Sequence, residues 1–566
     1  MKTKNMIMNS LFAAVLLSCL NSCNYLNVVP PEQADVKDMM VDNASTLNCL
    51  YGCYGYLQNG GTDPMNYGHI DGGGTDEVVM PQEWQGRGSS AQWNSITPSS
   101  INGDNGYPWV IWYRAIGDCN QFLKLIDEYN PPIDASLKQQ YIAEANFLKA
   151  YYHFRALEMY GPIPIIDHFM SSNVTKDQLP GRSHFDYCVS YIDSLLDNAA
   201  NVLPATYSNP DYFGRATSVI CKALKARVLL LAASPLWNGS FPDTSWKNTD
   251  YETPGYGKEL VSHVYNKDKW VAARQACVDA ISAAESAGFK LFDIDASEQL
   301  RKNQGINLPQ IPGIDSSTPE GQEFQKRVMM LRYLVTARPD QGNKEVIWGM
   351  SNLNGDILMA SIPHYVLKND NNTLVGGWGG LSPTLYTVEH FYTKNGKIPE
   401  EDNSFTDQSL WFKSADLSNS NIINLNVNRE PRYYAWISFD GDEYSTFINA
   451  GKSLIISARD PQTQGYNPIL WGTRNYSVTG FLNKKWVHPM TNYNGNGWGN
   501  NFSSVNYPSA LIKLSELYLN LAECDATLGG QYRDEAYTYL NKIRERAGIP
   551  DLTPADVSTS GKSLVQ

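Results

Sequence analysis

Apolar positions recur with a helical period along much of the chain, and one segment is apolar on nearly every side. Residues 141–160 contain neither proline nor glycine, which favours a helix. At 100° per residue, Glu144, Arg155 and Glu158 fall on one narrow strip of an otherwise apolar and aromatic surface. Because such a helix must be buried on several sides, we predict that it lies at the centre of a helical stack. The segment Gly161–Pro162 is predicted to end it.

Further helices are predicted on both sides of this one, with short connections between them. The predicted ranges are 35–58, 109–129, 183–203, 218–233, 269–287, 511–528 and 533–547. The pattern of paired helices predicts a mainly α fold, a tetratricopeptide-like stack of helical hairpins (an α-α superhelix), although no exact repeat period is visible.

The stretch from about 291 to 507 has a different composition from the rest of the chain. It is rich in Asn, Gly, Pro and Tyr, with short β-like runs at 345–350 and 453–457 and one predicted helix at 383–392. We interpret it as long loops and a few short strands laid against the helical stack, and not as a second independent domain.

The N-terminus predicts a lipid anchor. Lys2 and Lys4 precede a short apolar run, which is typical of a signal peptide and too short to span a membrane. Leu20, Ser22 and Cys23 have the layout of a lipoprotein signal, in which Cys23 is acylated and becomes the new N-terminus. A competing cleavage point at Cys19 and an ordinary secretory signal are the alternatives.

We therefore expect residues 1–22 to be removed and residues 23–566 to form one domain. Its N-terminal part, 23–235, holds the main helical hairpins. Its C-terminal part, 269–566, holds the loop-rich insertions and the last hairpin.

Composition excludes some functions and leaves others open. The formal net charge of −13 argues against nucleic acid as a partner, because no basic stripe is present to neutralise phosphates. The chain has no GxSxG, HExxH or CxxC motif. A secreted glycoside hydrolase stays an alternative, since a pair among the 58 acidic residues could meet in space.

No cofactor is expected. Residues 293–295 and 440–442 carry paired aspartates that could hold structural calcium, but neither segment completes an EF-hand loop.

Several short motifs, weak alone, occur together in a characteristic order. They are Cys23-Asn24-Tyr25-Leu26, Thr75-Asp76-Glu77, Gly161-Pro162-Ile163-Pro164, Gly214-Arg215-Ala216-Thr217, Asn428-Arg429-Glu430-Pro431-Arg432 and Ile543-Arg544-Glu545-Arg546-Ala547-Gly548. With them the chain resembles the SusD/RagB family of outer-membrane nutrient-binding lipoproteins. Family members usually continue past the last hairpin into an acidic and arginine-rich segment, whereas this sequence ends in a polar tail.

The resemblance implies a non-enzymatic, lipid-anchored protein at the surface of the outer membrane. Such a protein binds an oligosaccharide or polysaccharide and delivers it to a SusC-like TonB-dependent transporter. Capture of a peptide or another non-sugar nutrient is the alternative within the same architecture. A third reading is an adaptor that binds only protein, in which the candidate tryptophans would all be buried.

Aromatic side chains in polar loops are the candidate binding residues, since sugars present flat C–H faces and a rim of hydroxyls. The loop 62–109 combines such residues, and two glycine-rich loops each carry one tryptophan. The alternative for each tryptophan is a buried packing role, and Asp76 could instead tie its loop down. The candidate ligand-binding residues are Trp84, Arg87, Trp93, Asp76, Tyr67, Trp378 and Trp498.

The charged strip on the central helix is predicted to be structural, because buried charges in helical stacks usually pair with neighbouring helices. We expect the strip of Glu144, Arg155 and Glu158 to pair, through its glutamates, with a strip of basic residues in the next helical segment. These are Arg215, Lys222, Lys225 and Arg227.

Overall fold

The computed structural model describes most of the chain. The described residues are 35–57, 75–84, 107–171, 173–351, 355–368, 374–471, 475–494 and 502–566. The lipidation candidate Cys23 and four of the ligand-binding candidates lie outside the described residues; these four are Tyr67, Arg87, Trp93 and Trp498.

Helices dominate both ends of the described chain, and short strands lie between them. The helices are α1 (Asn43–Tyr54), α2 (Tyr107–Glu128), α3 (Ala135–Tyr160), α4 (Phe185–Ala200), α5 (Ser218–Ala233), α6 (Lys267–Ser286), α7 (Ile294–Gln304), α8 (Pro319–Thr336), α9 (Gly355–Ser361), α10 (Leu385–His390), α11 (Pro431–Trp436), α12 (Pro468–Trp471), α13 (Leu514–Leu528), α14 (Arg533–Ala547) and α15 (Pro554–Ser560). The strands are β1 (Val78–Val79), β2 (Val346–Met350), β3 (Leu367–Lys368), β4 (Leu374–Val375), β5 (Ser382–Pro383), β6 (Ile437–Ser438), β7 (Glu443–Asn449), β8 (Lys452–Ile455), β9 (Leu482–Asn483), β10 (Asn492–Tyr493), β11 (Phe502–Ser503) and β12 (Ser509–Lys513).

The helices from α2 to α6 pack one against the next, and α13 then packs against α6, with α14 as its hairpin partner. This confirms the predicted helical stack, which is interrupted in sequence but continuous in space. α3 is buried along most of its length, from Tyr141 to Leu157. It ends at Gly161, whose φ of +66° is accessible mainly to glycine. None of the helices among the described residues is long and apolar enough to cross a membrane.

The charged strip of α3 pairs through one residue only, Glu144, with the segment that precedes α5. Glu144 is fully buried, and its carboxylate accepts hydrogen bonds from Arg215 at 2.5 and 3.0 Å, as predicted. The prediction is wrong for Glu158, which pairs with Arg155 on α3 itself at 2.5 Å. The two residues are three apart on the same helix, where their side chains meet without a partner helix.

Two cations of α5 reach other helices. Lys225 pairs with Asp193 and Asp197 of α4 at 2.9 and 2.8 Å. Arg227 forms a bidentate pair with Glu516 of α13, with both distances 2.6 Å. These pairs tie α5 to the helix before it and to a helix nearly 300 residues further along the chain.

The region between α6 and α13 contains more helix than the sequence suggested. The prediction of a single helix there is wrong, because α7 and α8 precede it. α8 begins with Thr318 as its N-cap and Pro319 in its first turn, and it buries Val328–Leu334 on all sides. Charged residues fill the N-terminal half of α8 and Arg332 interrupts its buried run, which dilutes the apolar period and explains why the helix is hard to recognise.

Short strand pairs join distant parts of this region. β1 pairs with β5, β12 with β2, β3 with β4 and β6 with β9, all antiparallel, and β11-β10-β7-β8 form a four-stranded sheet. The predicted β-runs at 345–350 and 453–457 correspond to β2 and β8. Because 509–513 pairs with β2, α13 begins at Leu514 and not at residue 511.

Candidate functional site

The segment that contains the Thr75-Asp76-Glu77 motif is fixed against α10. β1 follows the motif and pairs with β5, with Val78 opposite Pro383. Thr384, the N-cap of α10, donates from its backbone N–H to the carbonyl of Glu77 at 3.1 Å, and its hydroxyl donates to the carbonyl of Asp76. The backbone of the motif is therefore held by α10, while the Asp76 and Glu77 side chains are exposed to solvent.

A cavity of about 450 Å³ opens beside this contact, and we name it the α10 cavity. One wall is formed by residues 75–78 and α10, and the other by α11, β6 and residues 483–486. The β1–β5 and β6–β9 pairs hold the two walls, so the cavity is assembled from segments that are far apart in sequence. Its lining includes Asp76, Tyr386, His390, Trp436, Lys485 and Trp486.

Aromatic groups line both walls of the α10 cavity. The rings of Tyr386 and His390 stack with centroids 3.9 Å apart, and Tyr386 is 55% exposed. On the opposite wall, the Lys485 amine lies 4.9 Å from the ring centroid of Trp436 and 5.7 Å from that of Trp486. The cavity thus combines flat apolar faces with carboxylates, an amine and an imidazole.

The charges around the cavity are compensated to different degrees. Arg432 is bound by the buried carboxylate of Glu430 through two hydrogen bonds of 2.5 and 2.7 Å. No described carboxylate lies within ion-pair distance of the Lys485 amine. Burial lowers the pKa of Lys485 to about 8; the positive charges of Lys513 and Arg432 also lower it, and Glu77 opposes them.

Trp84, a leading sequence candidate, is not an exposed platform. Its side chain is 4% exposed, and its indole N–H donates to Asn475 at 3.2 Å. Its ring meets that of Trp378 edge to face, with centroids 6.0 Å apart. Together with Met80, Ile357 and other residues it forms a small hydrophobic cluster, so its burial favours the packing role.

The glycines around Trp378 allow close packing. A Cβ added to Gly376 would lie 1.9 Å from the carbonyl oxygen of His364. A Cβ added to Gly380 would lie 2.4 Å from the ring of Trp84. Both distances are far below van der Waals contact, so these positions require glycine on steric grounds. Trp378 itself is partly buried beside Trp84.

Asp76 is the candidate that the structure brings to the α10 cavity, and neither Trp84 nor Trp378 is among the residues that line it. Sequence reasoning missed most of the other residues of the cavity. They lie on short elements whose pattern of apolar positions is weak, and only the Lys485-Trp486 pair offered a local signal, a cation beside an aromatic residue. The missed residues are Tyr386, His390, Trp436, Lys485 and Trp486.

The paired aspartates proposed for calcium have other partners. Asp293 caps α7 and pairs with Lys290, and Asp440 pairs with Arg459. Asp442 is buried and pairs with Lys484 at 2.7 Å. Among the described residues, no group of three acidic, histidine or cysteine side chains is placed to hold a metal ion.

Comparison with known sequences gives two family matches. Residues 344–565 match the profile described as the SusD family, and residues 24–230 match the profile described as "starch-binding associating with outer membrane". Among curated proteins there is no match.

Comparison with solved structures gives matches over nearly the whole chain. A structure named BT4246 is 44% identical, with a TM-score of 0.86, and the match covers 93% of this chain and 85% of that one. A SusD-like protein from Bacteroides fragilis, BF3747, is 21% identical with a TM-score of 0.62, and coverages of 93% and 83%. A laminarin-binding SusD-like protein is 14% identical with a TM-score of 0.53, and coverages of 92% and 88%.

The similarity to BF3747 and to the laminarin-binding protein shows a shared fold and nothing more, because their sequences are only 21% and 14% identical to this chain. The family profiles cover both ends of the chain, and their order agrees with the order of the motifs in the sequence. The helical stack continues from the range matched at 24–230 into the range matched at 344–565, because α6 packs against both α5 and α13. The chain belongs to the SusD/RagB family.

Proposed function

We propose that this protein is a non-catalytic glycan-binding lipoprotein of the outer membrane. In this proposal Cys23 carries the lipid anchor, and the protein delivers an oligosaccharide or polysaccharide to a SusC-like TonB-dependent transporter. Membership of the family supports the binding role, and the profile description "associating with outer membrane" supports the location. The laminarin-binding relative is one member of the fold with a sugar ligand.

The observation that carries the proposal is the mixture of groups in the α10 cavity. A sugar ring can stack its C–H face on an exposed aromatic ring and exchange hydrogen bonds with nearby charged and amide groups. The α10 cavity offers the stacked Tyr386 and His390 rings, the Asp76 carboxylate and the Lys485 amine around one space of about 450 Å³. A volume of this size accommodates a short segment of a glycan.

In this arrangement the exposed Tyr386 ring supplies the stacking face, and Asp76 and Lys485 orient the sugar by its substituents. Further candidate contacts of the glycan in this proposal are Tyr67, Arg87, Trp93 and Trp498. Trp84 and Trp378 support the site by packing under it. This division separates the residues that bind from the residues that hold the binding surface in place.

Replacing Tyr386 by alanine is expected to weaken glycan binding about tenfold or more, because loss of a stacked aromatic face costs on the order of 1–2 kcal/mol. The melting temperature should change little, since the side chain is 55% exposed. Calorimetric titration across a panel of soluble glycans measures the affinity. The same reactions, analysed for released reducing ends, test the absence of catalysis.

Phe412→Ala is a matched control, because Phe412 is 58% exposed and is not among the residues that line the cavity. It should bind the same glycans as the wild type. If Tyr386→Ala and Phe412→Ala bind with equal, wild-type affinity, the α10 cavity is not the binding site. If the folded wild-type protein binds no glycan, the proposed function is wrong.

A further inference from the structure

Of the lysine and arginine side chains that line the α10 cavity, Arg432 is paired with Glu430, whereas Lys485 has no ion pair among the described residues. It lies between the Trp436 and Trp486 rings, which give it cation–π contacts but leave its positive charge unneutralised. Its backbone is fixed, because its N–H donates to the side chain of Asn483 at 2.9 Å. Lys485 is therefore a positioned cation among the residues that line the cavity.

The charged and titratable groups near Lys485 come from residues 75–78, α10, the start of α11 and β12. Arg432 is neutralised by Glu430, as described above, whereas Lys513 on β12 adds a second positive charge that has no ion pair in the described structure. Asp76 and Glu77 also line the cavity, and because both side chains are exposed, water and salt screen their charges. The groups involved are Asp76, Glu77, His390, Arg432, Glu430 and Lys513.

A ligand that fills the cavity removes water from the Lys485 amine. A neutral sugar would leave a desolvated charge with only partial compensation, which is unfavourable. A sugar that carries an anionic substituent would instead form a charge-assisted hydrogen bond with the amine, in a setting of reduced dielectric where such bonds are stronger than in water. The same argument applies to a carboxylate and to a sulfate.

We propose that the ligand of the α10 cavity is an acidic glycan, whose carboxylate or sulfate group pairs with Lys485. This inference rests on the proposed function and names its substrate class. The overall negative charge of the protein repels a polyanion at long range, so the local cation is what makes such a ligand acceptable. The two indoles beside the amine exclude water and contact the apolar face of the same sugar unit.

Matched pairs of glycans test the charge requirement. Oligogalacturonate and its methyl ester share a backbone and differ in the carboxylate charge, and dextran sulfate and dextran differ in the sulfate. These pairs are added to the glycan panel and titrated into the wild type, Lys485→Met, Lys485→Arg and Lys452→Met. Lys452 is an exposed lysine of β8 that does not line the cavity, and it controls for loss of one positive charge.

We expect the wild type to bind the acidic member of a pair and Lys485→Met to bind it about 10- to 100-fold more weakly, the effect of losing one charge-assisted hydrogen bond. Lys485→Arg and Lys452→Met should retain binding. A preference for the carboxylate or for the sulfate pair identifies the anion. Melting temperatures of all variants establish that they are folded.

The pH dependence provides an independent readout. Because the pKa of Lys485 is about 8, the amine is mostly protonated at pH 7 and mostly neutral at pH 9. Affinity for the acidic glycan should therefore fall about tenfold as the pH rises from 7 to 9, since one pKa unit on each side changes the charged fraction by that factor. The guanidinium of Lys485→Arg stays charged and should bind with little change over this range.

The outcomes separate this inference from the proposed function. If the wild type binds neutral glycans as tightly as their acidic partners, or if Lys485→Met retains acidic binding, the inference is wrong and the proposed function stands. If the folded wild type binds no glycan of either kind, both are wrong.

Discussion

Replacing Glu144 by glutamine is expected to lower the free energy of unfolding by about 3–5 kcal/mol, because it leaves Arg215 as a buried charge without a partner. The Glu144 side chain is fully buried and that of Arg215 is 6% exposed. Burial opposes the charge of Arg215, but the bidentate contact with Glu144 outweighs it and raises the arginine pKa. The Tyr54 hydroxyl also donates to this carboxylate, at 2.8 Å, so glutamine disturbs more than one hydrogen bond. Urea unfolding followed by circular dichroism measures the change.

Glu158→Gln is a control on the same helix. Among the described residues, the ion pair of Glu158 is with Arg155 on α3, and the Glu158 side chain is 38% exposed. Ion pairs between residues three apart on one helix contribute less than about 1 kcal/mol, so the variant should unfold close to the wild type. Neither residue lines the α10 cavity, and both variants should bind glycan normally when folded. Loss of affinity in Glu144→Gln without loss of stability would contradict the structural role.

The helical stack could be predicted from local sequence because its signals are local. The apolar period of residues 218–233 and the N-cap Thr217 define α5, and the structure has the same bounds. The Glu144–Arg215 pair was predictable from the charge strip on an otherwise apolar helix. α8 was missed because its buried run, 328–334, follows a charged N-terminal half and contains Arg332, and both hide its period.

The α10 cavity could not be predicted in the same way. Its walls meet through pairings such as Val78 with Pro383 and Ile437 with Asn483, which join short strands with no sustained alternation. Exposure was equally hard to infer, since Trp84 occurs in a polar, glycine-rich stretch and is nevertheless buried. The Thr75-Asp76-Glu77 motif identified one wall of the cavity, whereas the aromatic and basic residues of the other wall depend on long-range contacts.

A buried arginine connects the motif 428–432 with this cavity. Arg429 is fully buried, and burial lowers its pKa. Its guanidinium donates to the carbonyl of Leu425 at 2.9 Å and to the carbonyls of Val388 and Phe391, both at 2.6 Å. Two of these acceptors belong to the end of α10 and the residue after it. The guanidinium carbon of Arg429 also lies 4.6 Å from the ring centroid of Tyr433, which is a cation–π contact.

Replacing Arg429 by methionine is expected to destabilise the protein by several kcal/mol, since each buried carbonyl left without a donor costs about 1–3 kcal/mol. Lysine should not rescue it, because a single ammonium lacks the planar fork that reaches all three carbonyls. Urea unfolding measures the loss, and Arg338→Met is the control, as Arg338 is 39% exposed and pairs only with Asp340 among the described carboxylates.

Because the lost bonds hold the end of α10, the folded fraction of Arg429→Met should also bind glycan more weakly, through displacement of Tyr386 and His390. Wild-type stability in this variant would contradict the role of Arg429 as the anchor of α10. Reduced stability with unchanged affinity would instead limit that role to the fold, and would mean that the position of α10 does not determine binding.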